Sequence, residues 1–182
     1  MKYNFNIAVI NQCTETEGPF KRLAIWFQGC DNHCAGCCNP ELLAFKPANI
    51  ISIENLITVI HNAKMEYQIE GVTFLGGEPV LQQGLHVLSE RIQHIGLGII
   101  LFTGKKYEEL PQKIVDNVDL IIDGVYENDN SDNERNLIGS KNQRLIKVTE
   151  RYENNLDWFY RSRPNKSEIN ISEKLIMSGD VL

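Results

Sequence analysis

The sequence predicts an α/β fold, a mostly parallel sheet wound with helices into a partial, open βα barrel. Three observations lead there. Apolar runs of strand length alternate with segments of helical period, and strand, helix, strand in succession means parallel pairing with right-handed crossovers. The 182 residues fall short of the ~250 of a closed eightfold barrel. The cysteine- and glycine-bearing segments each follow a strand, which gathers them at the edge where such sheets bind ligands. The chain reads as one domain over residues 1–182.

The elements follow in order. Phe5 to Ile10 and Leu23 to Phe27 are apolar enough for buried strands, and the second runs straight into a cysteine loop. Ser52 caps a helix whose apolar positions, Ile53, Leu56, Ile57, Ile60 and Ala63, keep the helical spacing. Val72 to Leu75 is a short buried strand. Leu81, Leu85, Leu88, Ile92 and Ile95 predict a helix stopped by Gly96. Ile99 to Phe102 is the next strand, and Tyr107 to Val115 a short helix disturbed by Pro111. Leu120 to Ile122 and Arg144 to Val148 complete the series, while Glu168 to Ile171 and Lys174 to Met177 predict a terminal hairpin or edge strands. The polar stretch Glu127 to Asn136 reads as an exposed loop.

Composition narrows the function. Hydrophobic content of 42% and charged content of 23% are those of a soluble globular protein. A net charge of −6 without a basic stripe argues against nucleic acid as a partner. No 18-residue apolar stretch or signal peptide is seen, so the expected setting is the cytoplasm, with no membrane partner.

The informative motif is Cys30-x3-Cys34-x2-Cys37, three thiols within one loop. A cubane cluster held wholly by protein needs four thiolates. Three leave one iron open to bind a small molecule, which suggests chemistry at the metal. A structural zinc site with Cys13, Cys38 or His33 as fourth ligand is the competing reading, although the second ligand pair of most zinc motifs is missing. A ferredoxin run is tighter and ends in Cys-Pro, whereas Pro40 here follows Asn39. Cys38, adjacent to Cys37, cannot easily reach a second iron of the same cube, and lines the site instead. Cys13 is a buried or incidental thiol.

The second motif is Gly76-Gly77-Glu78-Pro79 at the end of a strand. Two residues without Cβ let main chain approach a ligand closely, and the Glu78 carboxylate suits an ammonium group or holds the loop. An ordinary strand-to-helix turn is the plain alternative. His33, His61, His86 and His94 are scattered, and neither a Ser-His-Asp set nor paired carboxylates stand out. Beyond the cluster ligands, no catalytic residue is expected.

With its downstream GGEP, the cysteine motif resembles that of the radical S-adenosylmethionine superfamily. More narrowly, the chain resembles the small activating enzymes of glycyl-radical proteins, above all the activators of anaerobic ribonucleotide reductase. The likeness runs through EGPFKRLAIWFQGC, GCCNP, FTGKKYEEL and VDLIIDGVYE to GSKNQRLI at Gly139 to Ile146. Many superfamily members carry an aromatic residue just before the third cysteine, where this chain has Gly36. Cys38 stands where reductase activators usually carry an aromatic.

The resemblance implies a [4Fe–4S] cluster on Cys30, Cys34 and Cys37 that chelates S-adenosylmethionine. It implies cofactor contacts from Gly36, Cys37 and Cys38, from Gly76, Gly77, Glu78 and Pro79 facing the methionine amino group, and from Thr103 and Asp123 at the ribose or carboxylate. Ser140, Asn142 and Gln143 either close that pocket, meet the partner, or simply build a loop. The implied activity is reductive cleavage of the cofactor to make a glycyl radical on a partner, with an anaerobic ribonucleotide reductase as the partner expected. Flavodoxin or ferredoxin would donate the electron. A radical enzyme acting on a peptide or small molecule, or a non-catalytic iron–sulfur protein, would be the alternatives.

Overall fold

The computed structural model describes residues 2–160, 167–171 and 175–179. A seven-stranded sheet has the order β3-β1-β2-β4-β5-β6-β7. Its strands are β1 (Asn4–Thr14), β2 (Arg22–Phe27), β3 (Asn49–Ser52), β4 (Gly71–Gly76), β5 (Gly98–Thr103), β6 (Leu120–Asp123) and β7 (Arg144–Lys147). The β2-β4-β5-β6 core is parallel, and β1 and β7 run against it at either side. Five of the seven strands therefore point one way, because β3 is antiparallel to β1. Since β3 and β7 lie at opposite ends of the order, the sheet is open.

Helices α1 (Ile53–Tyr67), α2 (Leu85–His94) and α3 (Gln112–Val115) cover one face. They form because their apolar residues recur on one side. Leu56, Ile60 and Ala63 of α1, with Leu88 and Ile92 of α2, are wholly buried against Phe5, Leu23, Phe27, Val72, Phe74 and Leu101. Each such Leu or Ile contributes roughly 2 kcal/mol. Ser52 caps α1 by accepting from the Asn55 N–H, as its sequence position predicts. On the opposite face, Ala24 and Trp26 pack with Leu42, while Ile100, Leu120 and Ile122 lie beneath Ile138, Tyr152 and Phe159. β2 is buried along its whole length because both faces are covered.

Several bounds differ from the expectation. α2 starts at Leu85, not Leu81, because Gly84 takes a left-handed φ of 86° and Pro79–Leu81 forms a 3-10 turn that leaves Leu81 on the surface. Pro111 divides the segment after β5 into a 3-10 turn at Tyr107–Glu109 and α3. β3 and the short α4 (Asp157–Tyr160) were not foreseen; four residues carry too little periodicity. β8 (Ser167–Ile171) and β9 (Leu175–Gly179) pair antiparallel as a hairpin, and Lys174 of the expected second strand lies outside the described residues. No helix among the described residues is long and apolar enough to cross a membrane.

Candidate functional site

Parallel pairing lines up the carboxyl ends of β2, β4, β5 and β6. Phe27 stands opposite Gly76, and Thr103 opposite Asp123. The loops leaving these four residues form one rim, as the sequence expects.

The cysteine loop begins at Gly29, whose φ is 97°. Its entry is pinned by Gly29 N–H to Leu42 O at 2.8 Å and Cys30 N–H to Leu43 O at 3.1 Å. Cys30 is buried, Cys34 and Cys37 are half-buried, and Cys38 is exposed. His33 and Gly36 both take positive φ, 50° and 71°, which bends the loop between its thiols. Cys30 Sγ accepts the Asn32 N–H and Cys37 Sγ the Asn39 N–H, each at 3.4 Å, while Asn39 Nδ2 donates to Cys38 Sγ at 3.3 Å. Burial pushes the Cys30 thiol up, opposed by the Asn32 N–H and reinforced by Glu78, Cys34 and Asp31. A metal that takes this sulfur as thiolate must therefore displace a firmly held proton.

The glycine strap is laced to this loop. Gly77 N–H donates to Phe27 O at 2.8 Å and Glu78 N–H to Gly29 O at 2.9 Å. A Cβ at Gly76 would sit 2.6 Å from Phe27 N, and one at Gly77 would overlap the Gly29 carbonyl. In this structure the two glycines thus serve the close approach of one main chain to another. Pro79 is buried and opens the 3-10 turn.

Glu78 is wholly buried. Its Oε1 accepts Thr103 Oγ1–H at 2.7 Å and Val80 N–H at 3.2 Å; its Oε2 accepts Asn32 Nδ2–H at 2.7 Å and Gly104 N–H at 2.9 Å. Of the two expected uses of this carboxylate, the structure shows the holding of the loop. Its four lone-pair sites are spent on the chain itself, and an ammonium group would find none vacant. Lys105 pairs with Asp31 at 2.7 Å and ties the same loop to β5 a second time.

Thr103 and Asp123 are also committed. Thr103 donates to Glu78. Asp123 accepts the Tyr107 N–H at 2.6 Å and pairs with Arg144, whose guanidinium also grips Glu108 through bonds of 2.9 and 2.8 Å. Arg144 holds the Glu108 carboxyl down at about 2. Both side chains are thus engaged by the chain itself, Thr103 with Glu78 and Asp123 with Tyr107 and Arg144, and Asp123 also lines the cleft beside the cysteine loop. Ser140, Asn142 and Gln143 knit a turn. Ser140 Oγ accepts Glu127 N–H, Asn142 Nδ2 donates to Val125 O, and Gln143 bonds Gly139, Ser140 and Gly124. Beside the cysteine loop a cleft of about 690 Å³ opens between Asn32, Gly104, Lys105, Gly124, Asn142 and Arg144, a volume of small-ligand size.

Residues that sequence reasoning missed are amides. Asn32, inside the cysteine loop, fastens it to Glu78. Asn6 and Gln28 bind the segment around Ala44–Lys46 to the sheet, and Gln82 bridges the two by accepting the Asn6 N–H and donating to Gln28 O. Asn128, in the stretch read as a solvated loop, packs against Gly36. None carries a local signal, because each acts through a partner distant in sequence.

The donor set fits an iron–sulfur cluster. One loop at the rim carries three thiols, and two of them accept backbone N–H bonds of the kind that steady cluster thiolates. Among the described residues, no three His, Cys, Asp or Glu side chains converge on a single-ion site. Thiolates of a cube bind separate irons and need no such convergence.

Comparison with known proteins gives the following. The family model described as a 4Fe-4S single cluster domain matches residues 16–146. The anaerobic ribonucleoside-triphosphate reductase-activating protein of Enterobacteria phage T4 is 29% identical over 147 residues, covering 78% of this chain and 93% of that protein. Its Escherichia coli K12 counterpart is 26% identical over 137 residues, covering 69% and 88%. The pyruvate formate-lyase-activating enzyme of Clostridium pasteurianum is 28% identical over 113 residues, covering 58% and 46%. Among solved structures, QueE from Escherichia coli superposes with a TM-score of 0.44 at 18% identity, covering 70% of this chain and 73% of that one.

Proposed function

The chain belongs to the 4Fe-4S single cluster domain family, and from that premise we propose that it is a radical S-adenosylmethionine oxidoreductase that activates a glycyl-radical protein. Cys30, Cys34 and Cys37 hold the cluster. When bound, a [4Fe–4S] cluster with S-adenosylmethionine would supply the one-electron reductive cleavage that hydrogen abstraction from glycine requires. The cofactor carries that chemistry, and the protein supplies position and electrostatics.

The observation that carries this reading is the clasp between the three-thiol loop and the glycine strap. Asn32 to Glu78 and Glu78 N–H to Gly29 O fix the two segments relative to one another, so a ligand held by both meets the metal in one orientation. Since Glu78 is occupied by four donors, the methionine ammonium is assigned to main-chain carbonyls of Gly76 and Gly77, with the buried carboxylate as nearby counter-charge. Pro79 starts the turn that ends the strap. Main chain of Gly36, Cys37 and Cys38 flanks the cofactor. Thr103 and Asp123 shape the cleft floor through Glu78 and Arg144.

The protein partner is an anaerobic ribonucleotide reductase, in keeping with what the phage and Escherichia coli relatives are named for. The open sheet leaves the rim to be covered by a large substrate. A low-potential carrier such as flavodoxin or ferredoxin donates the electron, and the setting is the cytoplasm.

Anaerobic reconstitution tests this. With dithionite and S-adenosylmethionine the protein yields 5′-deoxyadenosine, and adding the reductase gives the glycine doublet by electron paramagnetic resonance. Cys34→Ala abolishes both the cluster absorbance and cleavage. A reconstituted protein that binds iron and sulfide but makes no 5′-deoxyadenosine would reduce it to a non-catalytic iron–sulfur protein.

A further inference from the structure

We propose that Lys105 is the ligand-directed cation of the cleft: its ammonium, held by Asp31 in this structure, takes the carboxylate end of S-adenosylmethionine. The inference rests on the reading above that the rim binds this cofactor.

Three basic side chains line the cleft, Lys105, Lys106 and Arg144. An anion entering it needs N–H donors that the chain has not already spent. Arg144 has spent its own: Nε and Nη2 bond Asp123, and Nη1 and Nη2 bond Glu108, so two carboxylates already face one guanidinium. Lys106 is exposed, and no bond ties its ammonium to the cysteine loop among the described residues. Lys105 differs from both. Among the described residues its Nζ bonds only Asp31 Oδ1, at 2.7 Å, which leaves two of its three N–H groups unspent, and 28% of the side chain stays open to solvent.

The main chain sets where that ammonium can reach. Lys105 N–H donates to Thr103 Oγ1 at 3.1 Å, and Lys105 O accepts the Gly124 N–H at 3.4 Å. Gly104, just before it, touches Asn32, just after Asp31: a Cβ on Gly104 would lie 2.3 Å from Asn32 Nδ2. Both Gly104 N–H and Asn32 Nδ2 end on Glu78 Oε2. The Lys105–Asp31 pair therefore sits at the seam between the cysteine loop and the end of β5, beside the residue that follows Cys30. Partial burial works against the charge of Lys105, but the bond to Asp31 and the charges of Asp31, Glu78 and Cys30 outweigh it and hold the lysine protonated above its ordinary value. Asp31 is itself 43% exposed, and an ion pair so open to water is weakly held. The ammonium can thus share itself with a second carboxylate at little cost, and a ligand that meets both the metal loop and the cleft brings one to it.

The test uses the full chain, reconstituted without oxygen, with iron content measured first and S-adenosylmethionine binding then read per loaded cluster by calorimetry. A brace and a ligand cation give different results in two variants that break the same pair. Lys105→Met is expected to keep its iron and to bind about tenfold more weakly or worse, the size of one lost hydrogen bond to a charged group. Asp31→Asn, which frees the ammonium, is expected to bind as tightly as wild type or tighter, and Lys105→Arg to recover most of the affinity. Weakening in Asp31→Asn that matches Lys105→Met, loss of iron from Lys105→Met, or wild-type affinity in Lys105→Met would overturn the proposal and leave the lysine as a strut between loops. Wild-type protein that takes up the cluster but binds no S-adenosylmethionine would instead end the functional reading on which the proposal stands.

Discussion

Glu78 shows how much one buried side chain does here. Two oxygens take four donors from the cysteine loop, the strap's own turn and the end of β5. Glu78→Gln turns one oxygen into an NH₂ facing two donors, and leaving such buried groups unmatched costs about 1–3 kcal/mol. Lower cluster occupancy, read by iron content, together with a lower melting temperature, is the expected outcome; unchanged iron would mean that the clasp is dispensable. Cys38→Ala is expected to keep full iron, since this thiol is exposed and bonded to Asn39. The three-cysteine spacing and GGEP were legible in the sequence because each is a local pattern with its chemistry in its residue types. Asn32, Asn128 and the real partners of Thr103 and Asp123 were not, because an asparagine or aspartate at a strand end reads the same whether it meets a ligand or a neighbouring loop.

At the scale of elements, period and caps were readable where segments are long. α1 starts at its Ser52 cap, and Ser52→Ala is expected to cost about 1 kcal/mol, a fall of about 3 °C in melting temperature for a chain of this size. α2 lost its first turn to Gly84 and Pro79, a contest between apolar spacing and backbone geometry that the spacing does not register. The strand ends were set by what they approach. β4 finishes on Gly76 and is followed by Gly77 because β2 and Gly29 lie too close for a Cβ. Gly77→Ala should therefore separate the strap from the cysteine loop, and the reconstituted variant should show a larger loss of S-adenosylmethionine binding, by calorimetry, than of iron. Unaltered binding would show that the two loops need not touch.

The whole molecule is polar at both ends of its parallel strands, in different ways. At the carboxyl end, thiols, glycines and charged pairs are half open. At the amino end, Arg22 is wholly buried, donating to Thr73 Oγ1, Val72 O, Tyr152 Oη and Glu70 Oε2 while its guanidinium lies 5.1 Å from the Tyr152 ring centre. Burial pushes the Tyr152 hydroxyl well above its ordinary value. This knot joins β2, β4 and the segment after β7 at the amino end of the open sheet. The acid behaviour belongs to this scale too. Glu108 is held at about 2 against an ordinary 4.5, so its pairing with Arg144 stabilises the fold fully above the ordinary value. That contribution fades as pH falls from about 4.5 through about 2. Glu108 is fully exposed, so the effect is small: melting temperature followed against pH should fall slightly less steeply in Glu108→Gln over that window, and identical slopes would mean that the pair does not couple to folding.

The Arg22 knot also gives the protein a handle remote from its chemistry. Asn154 lies exposed just beyond Tyr152, at the end of the strands away from the thiols. A resin, dye or electrode linker anchored at that position would leave the reactive rim facing outward, and the molecule could be tethered and interrogated one orientation at a time.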